Sequence, residues 1–287
     1  MIEVGRIKSK SKSKAKQRKA PAKRANELSG SLWVKNSISI WSDIRFTKEE
    51  RSLKHPAMFP QALVEKIIGC FMNSNQSIVL DPFCGSGSTI VAAEKLGKTG
   101  IGFELYPKFI QLAQKRLKDV VSANDMINSR VIKGDSRSLQ KHIDSNSVDL
   151  AITSPPYWDI LKQRRTADYK ESEHYGENSS DIGNYSNYID FLGELGKTFS
   201  SVNNALKPGC YFIVNVMDLR KGPNFYPLHM DIVPYANKAG FFLDDIIIWD
   251  RRMDYNNLRA LGFPAVFRIN KAHEFLMIFR KPKEIQV

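Results

Sequence analysis

Apolar residues recur along this chain in two periods, and the alternation between them predicts its architecture. From residue 60, Leu63, Ile67 and Phe71 repeat at the spacing of one helix face, with Pro60 at a first turn. SIVLD (77–81) is a short apolar run of the kind that forms a buried strand. GSGSTIVAAEKLG (85–97) opens on glycines and continues as a helix closed by Gly97. TGIGFE (99–104) reads as a second strand, and Phe109, Leu112, Ala113 and Leu117 place a helix over 106–118. SRVIKGD (129–135) and SVDLAITS (147–154) are the third and fourth strands. Tyr188, Phe191, Leu195, Phe199, Val202 and Leu206 mark a long amphipathic helix that stops at Pro208-Gly209, before a fifth strand at 210–216. A helix over 227–239 and strands at 241–250 and 273–281 complete the pattern. The lead-in, 25–54, has two tryptophans and no clear period. Strands alternating with helices predict an α/β fold: a doubly wound, mostly parallel, seven-stranded sheet whose last two strands pair antiparallel at one edge.

Composition changes this picture in one place. The 287 residues are 42% hydrophobic and 25% charged, an ordinary globular balance with ample material for a core. Lys and Arg number 43 against 30 acids, for a net charge of +13. Ten of those basic residues crowd into residues 1–24 against Glu3 alone, so this stretch carries +9 and the remainder +4. KSKSKSKAK (8–16) has no apolar face of any period. Residues 1–31 are therefore expected to form a disordered basic arm ahead of a single domain over 32–287. Each lysine near a polyanion releases a counterion, so the arm suits a phosphate tether; a solvated tail and a nuclear-localisation-like cluster (KQRKAPAKR) are the other readings. No apolar run approaches a membrane span, and no apolar stretch follows the early lysines as in a signal peptide. Cys70, Cys84 and Cys210 form neither a disulfide framework nor a zinc-ligand spacing, so no metal is expected and a reducing cytoplasmic compartment is.

In a doubly wound sheet, ligands sit at the carboxyl ends of the strands, and four loops there carry unusual residues. LDPFCGSGST (80–89) ends a strand in Asp81 and turns through glycines into a helix. It matches neither the phosphate-loop nor the dinucleotide glycine spacing. Glu104 ends the next strand, where a carboxylate can accept from both hydroxyls of a ribose. Asp135, in KGDS, ends the third and can accept from an adenine amino group. TSPPYW (153–158) ends the fourth: two prolines stiffen the turn and remove amide donors, leaving carbonyls, the Ser154 hydroxyl and the Tyr157 ring to face a ligand. In series, these loops favour an adenosine ligand without a large phosphate site.

The combination resembles the S-adenosylmethionine-dependent amino-methyltransferases of DNA. DPFCGSGST resembles that family's motif I, FEL its motif II, KGD its motif III, TSPPYW its motif IV, KHPAMFPQALVEKII (54–68) its motif X and HEFLMIFRKP (273–282) its late strand. The resemblance implies that Asp81, Phe83, Gly85 and Gly87 line the methionine and ribose of S-adenosylmethionine. It implies that Glu104 holds the ribose, Asp135 the adenine, and His55, Pro56 and Phe59 the methionine end. Ser154, Pro155, Pro156 and Tyr157 would form the pocket for a flipped-out base and be its catalytic residues. In the family a serine at the head of motif IV accompanies cytosine N4 more often than adenine N6, which is the second choice. Carbon-5 chemistry needs a cysteine, usually after proline, and none of the three follows one.

Two departures stand out. The motif order X, I, II, III, IV is circularly permuted relative to most SPPY members, and no sizeable recognition domain is visible. Recognition of double-stranded DNA is then expected from loops at about 159–186, 217–226 and 250–270, from the arm, or from a second subunit. The candidate contacts are Trp158, Lys162, Arg164, Arg165, Arg220, Lys221, Arg251, Arg252, Arg259 and Arg268. A cognate restriction endonuclease is an expected partner, and a bacterial cytoplasm, at the nucleoid when DNA is bound, the expected location. An RNA amino-methyltransferase and a non-catalytic nucleic-acid-binding protein are the competing readings.

Overall fold

The computed structural model describes residues 24–53, 58–121, 126–159, 178–254, 264–266 and 268–283. Two short helices, α1 (Gly30–Asn36) and α2 (Lys48–Ser52), flank a two-residue strand, β1 (Ile40–Trp41). Then follow α3 (Gln61–Phe71), β2 (Ile78–Asp81), α4 (Ser88–Lys95), β3 (Thr99–Glu104), α5 (Pro107–Val120), β4 (Arg130–Lys133) and β5 (Val148–Thr153). The second half holds α6 (Tyr188–Ala205), β6 (Leu206–Val216), the hairpin β7 (Leu219–Lys221) and β8 (Asn224–Tyr226), α7 (Leu228–Lys238), β9 (Phe242–Asp250) and β10 (His273–Arg280).

Eight strands form one sheet in the order β1-β9-β10-β6-β5-β2-β3-β4. The α/β character and the parallel majority match the sequence reading, but two details differ. Ile40–Trp41 adds an eighth strand, parallel to β9, in a lead-in without visible period. The antiparallel strand is not at the edge: β10 runs between β9 and β6, antiparallel to both. The run Phe275–Phe279 is apolar on both faces, as an internal strand needs, but the sequence does not say which strands it pairs with. On one face Phe275, Met277 and Phe279 pack with α6 and α7; on the other Leu276 and Ile278 pack with Trp41, Trp249 and α3.

Helix α6 ends one residue before β6 begins, so Pro208 and Gly209 lie inside the strand rather than before it. Gly209 takes φ +79°, its N–H reaches the Lys281 carbonyl at 3.0 Å, and the β5–β6 register shifts there. The body is also engaged before residue 32: buried Asn26 donates to the Cys70 carbonyl at 2.9 Å. Among the described residues no helix is long and apolar enough to cross a membrane.

Strand order reverses between β2 and β5. From β2 the chain steps outward to β3 and β4; from β5 it steps the other way to β6. The crevice outside the carboxyl ends of these two strands is where such sheets bind ligands.

Candidate functional site

Asp81 ends β2 and Thr153 ends β5, and a side-chain bond joins them across the crevice. Thr153 Oγ1 donates to Asp81 Oδ1 at 2.7 Å, Thr89 Oγ1 in the first turn of α4 donates to Oδ2 at 2.5 Å, and the Phe83 N–H donates to Oδ1 at 3.0 Å. Asp81 is 1% exposed, and burial raises its pKa to about 6 despite these donors. It therefore sits behind the cleft as a clamp between the glycine-rich turn and the SPPY turn.

The cleft itself holds about 600 Å³ of empty space, part of it open to solvent. Phe83, Gly85, Glu104, Asp135, Ser154 and Pro156 all line it. Gly87 stands behind it at φ +85°, where an added Cβ would meet Ala113 Cβ at 2.7 Å, so glycine alone lets α4 start against α5. Phe59 is buried in the cluster around Trp41, Leu63 and Trp249 and is not among the lining residues. His55 and Pro56 lie outside the described residues.

Glu104 is held by main chain: Oε2 accepts from Gly85 N at 2.9 Å, and Oε1 from Leu105 N at 2.8 Å and Tyr106 N at 2.9 Å. Burial raises its pKa, outweighing these donors. A carboxylate has about four acceptor sites, so three amides leave one for a further donor.

Asp135 is engaged differently. Its oxygens accept from Arg137 N and Nε at 2.9 Å and from Nη2 at 2.5 Å; burial opposes ionisation, but Arg137 holds the carboxyl below its usual range. The expected adenine contact therefore meets a carboxylate already paired. Arg137 also bonds the Ser180 carbonyl at 3.1 Å and pairs with Glu194, so Asp135 helps fix the far wall. That wall, Ser180, Asp181 and Ile182, was missed in the sequence, as was Tyr106, whose hydroxyl donates to Asp181 Oδ2 at 2.7 Å. Residues 178–182 carry no periodicity and fall within the loop expected at about 159–186 to contact DNA, whereas Ser180, Asp181 and Ile182 line the cleft. The fit to S-adenosylmethionine rests on this lining: carboxylates suit a cation, and Phe83, Phe103 and Tyr106 offer flat apolar surface to an adenine.

On the other side of the switch point, Ser154 and Pro156 face the cleft while Pro155 is buried. The Tyr157 hydroxyl bonds Glu274 Oε2 at 3.3 Å. Glu274 is buried, and also accepts from Asn215 Nδ2 and pairs with Arg251. The signal available for Glu274 was a lone acid in an otherwise apolar strand.

The expected nucleic-acid residues fare unevenly. Trp158, expected on the DNA surface, is 4% exposed instead, packed at 5.0 Å against the rings of Tyr188 and Tyr226, with Lys221 Nζ 4.4 Å from its ring. An indole flanked by prolines and tyrosines gains more from this cluster than from water. Lys221 also pairs with Asp159 at 2.8 Å. Arg251 pairs inward with Glu274, whereas Arg252, 73% exposed, pairs with Asp250 at 2.6 Å. Arg220 is exposed in the β7–β8 hairpin, and Arg268 is half-buried. Lys162, Arg164, Arg165 and Arg259 lie outside the described residues.

A family model described as DNA methylase, of the N6/N4 type, matches residues 4–115 and 148–286. Among curated proteins the chain is similar to the Type II methyltransferase M.ScaI of Streptomyces caespitosus, 32% identical over 102 residues, covering 33% of each chain. It is also similar to the Type II beta methyltransferase M.BslI of Bacillus sp. (strain NEB-606), 32% identical over 175 residues, 55% of this chain and 17% of that one. The match spans about a third or less of the length of these relatives. Among solved structures, a putative DNA modification methylase of Thermus thermophilus complexed with S-adenosyl-L-methionine is 26% identical, covering 54% of this chain and 56% of that one, at a TM-score of 0.38. The family match covers most of the chain and both halves of the switch-point cleft: the chain belongs to the S-adenosylmethionine-dependent DNA amino-methyltransferase family.

Proposed function

We propose that this chain methylates double-stranded DNA on the exocyclic amino group of a flipped-out base, cytosine N4. The observation that carries the reading is the Asp81 clamp, which sets the SPPY turn beside the glycine-rich turn. One loop suits a nucleoside cofactor and the other a planar amine, and a methyl transfer needs both within one bond of each other.

Glu104, Phe83 and the wall at Asp135 would hold S-adenosylmethionine, which would supply an electrophilic methyl on a sulfonium able to leave as a neutral thioether. The chain's residues do the rest. Ser154 Oγ and the Pro155 carbonyl accept the two amino hydrogens, which draws the nitrogen lone pair out of conjugation with the ring. Tyr157 stacks on the extruded base. As the nitrogen–carbon bond forms, the nitrogen becomes positively charged, and it returns to neutrality by losing one proton to solvent past the Ser154 hydroxyl. Positioning and fixed dipoles supply the acceleration, and no covalent enzyme intermediate is involved. Serine at 154 supports cytosine N4, because in this family a serine at the head of motif IV accompanies cytosine N4 more often than adenine N6. Arg220, Arg252, Arg268, the basic residues outside the described segments and the basic arm would hold phosphates. A restriction endonuclease of the same site specificity is the proposed partner.

The test incubates purified protein with unmethylated DNA and methyl-labelled S-adenosylmethionine, digests to nucleosides and identifies the labelled one by mass spectrometry. N4-methylcytosine is expected. N6-methyladenine would keep the chemistry and overturn the base assignment; no label in DNA would overturn the function.

A further inference from the structure

Two prolines fix φ in the SPPY turn, but a fixed φ does not by itself set the side-chain torsions of Tyr157. A stacking platform has to be held in place, and one bond that does so runs to a strand. Glu274 lies in β10, 5% exposed, on the face it shares with Leu276 and Ile278. An apolar residue would pack there, and a buried carboxylate is a weak way to gain stability. Its charge is met by Arg251, just past the end of β9, and by Asn215 in β6. Arg251 is itself fixed 4.8 Å from the ring of Trp249 and 3.5 Å from Asp254, which also meets Arg51 in α2 at 3.2 Å. Two groups, one from each strand flanking β10, thus immobilise one carboxylate, and its Oε2 meets the Tyr157 hydroxyl at 3.3 Å.

We infer that Glu274 is a positioning residue of the base pocket: anchored by Arg251 and Asn215, its carboxylate fixes the ring of Tyr157 at the angle at which an extruded base stacks. Arg251 then acts through Glu274, as a brace, rather than on a phosphate. This rests on the reading of Tyr157 as the stacking ring.

The test is a double-mutant cycle on the full chain, with Tyr157→Phe, Glu274→Gln and the pair combined, followed by single-turnover methyl transfer to unmethylated genomic DNA. Each single variant should slow transfer about tenfold, the equivalent of one lost hydrogen bond, and leave the Kd for S-adenosylmethionine within about twofold. The double variant should also be about tenfold slower, because Tyr157→Phe deletes the donor and Glu274→Gln releases the charge-anchored acceptor of the same bond. Glu274→Asp keeps the charge for Arg251 but shortens the reach; it should slow transfer like Tyr157→Phe and add nothing in that background, and it serves if Glu274→Gln does not fold. An effect near a hundredfold in the double variant, an unchanged rate in Glu274→Gln, or cofactor affinity lost together with rate would overturn the inference. A wild-type chain that labels no DNA would overturn the functional reading instead.

Discussion

The two sides of the switch-point cleft are built by opposite means. On the cofactor side, main chain holds the acid: three amides converge on Glu104, and a glycine at φ +85° lets a helix start where no side chain fits. On the base side, side chains hold side chains: Tyr157 to Glu274, and Glu274 to Arg251 and Asn215. A site made of backbone is encoded locally, within one turn, and shows itself as a motif. A site made of side chains is assembled from residues up to 117 apart in the chain, and shows itself only once the strands are laid side by side.

The largest effect expected from this contrast falls where the motif and the core overlap. Trp158→Ala should destabilise the fold by about 3–5 kcal/mol, as removal of a buried aromatic does, and chemical denaturation measures it. A change confined to DNA affinity would return Trp158 to the surface role. Gly87→Ala tests the backbone side. The left-handed φ and the Ala113 clash together should remove about 3 kcal/mol, read as a lower Tm with weakened cofactor binding in calorimetry.

The clamp between the two sides makes a prediction in pH. The folded chain holds Asp81 at a pKa of about 6, above its ordinary value of 3.8, so the folded state favours the protonated acid. Its contribution is complete below the unfolded value and is lost as pH rises through about 6. Unfolding free energy should therefore fall by something on the order of 3 kcal/mol between about pH 4 and pH 7, and Asp81→Asn should flatten that slope in denaturant titrations. Smaller again, Glu104→Gln leaves the Gly85 amide facing a donor; the Kd for S-adenosylmethionine should rise about tenfold with the fold intact. Smallest of all, Arg220→Ala should leave Tm unchanged and weaken DNA binding a few-fold, with a shallower salt dependence.

The strands and helices from Ile78 to Thr153 were readable because each is an apolar run closed by glycine, proline or an acid. Glu104 and Ser154 were readable for the same reason: they end strands. Asp81 was also found, but its position was not, since sequence cannot say that a strand-end acid turns back to bond Thr89 and Thr153. Asp135 illustrates the same gap, with Arg137 two residues on already holding its carboxylate. Strand β1 is two residues long and has no period to detect. The hairpin β7–β8 lies in what read as a loop, because three-residue strands around Gly222 and Pro223 carry no alternation.

The central placement of β10 has a consequence for how the chain is made. Strand β9 is synthesised first, yet its partner on the side of β6 is β10, which ends 30 residues later, at Arg280. At about 5–20 residues per second, the ribosome leaves Phe242–Asp250 without that partner for a few seconds. In the finished sheet β1 and β9 reach the β6-β5-β2-β3-β4 block only through β10, so the two pieces cannot be joined until that strand is in place. The base pocket, whose Glu274 arrives on the missing strand, is among the last parts of the molecule to exist.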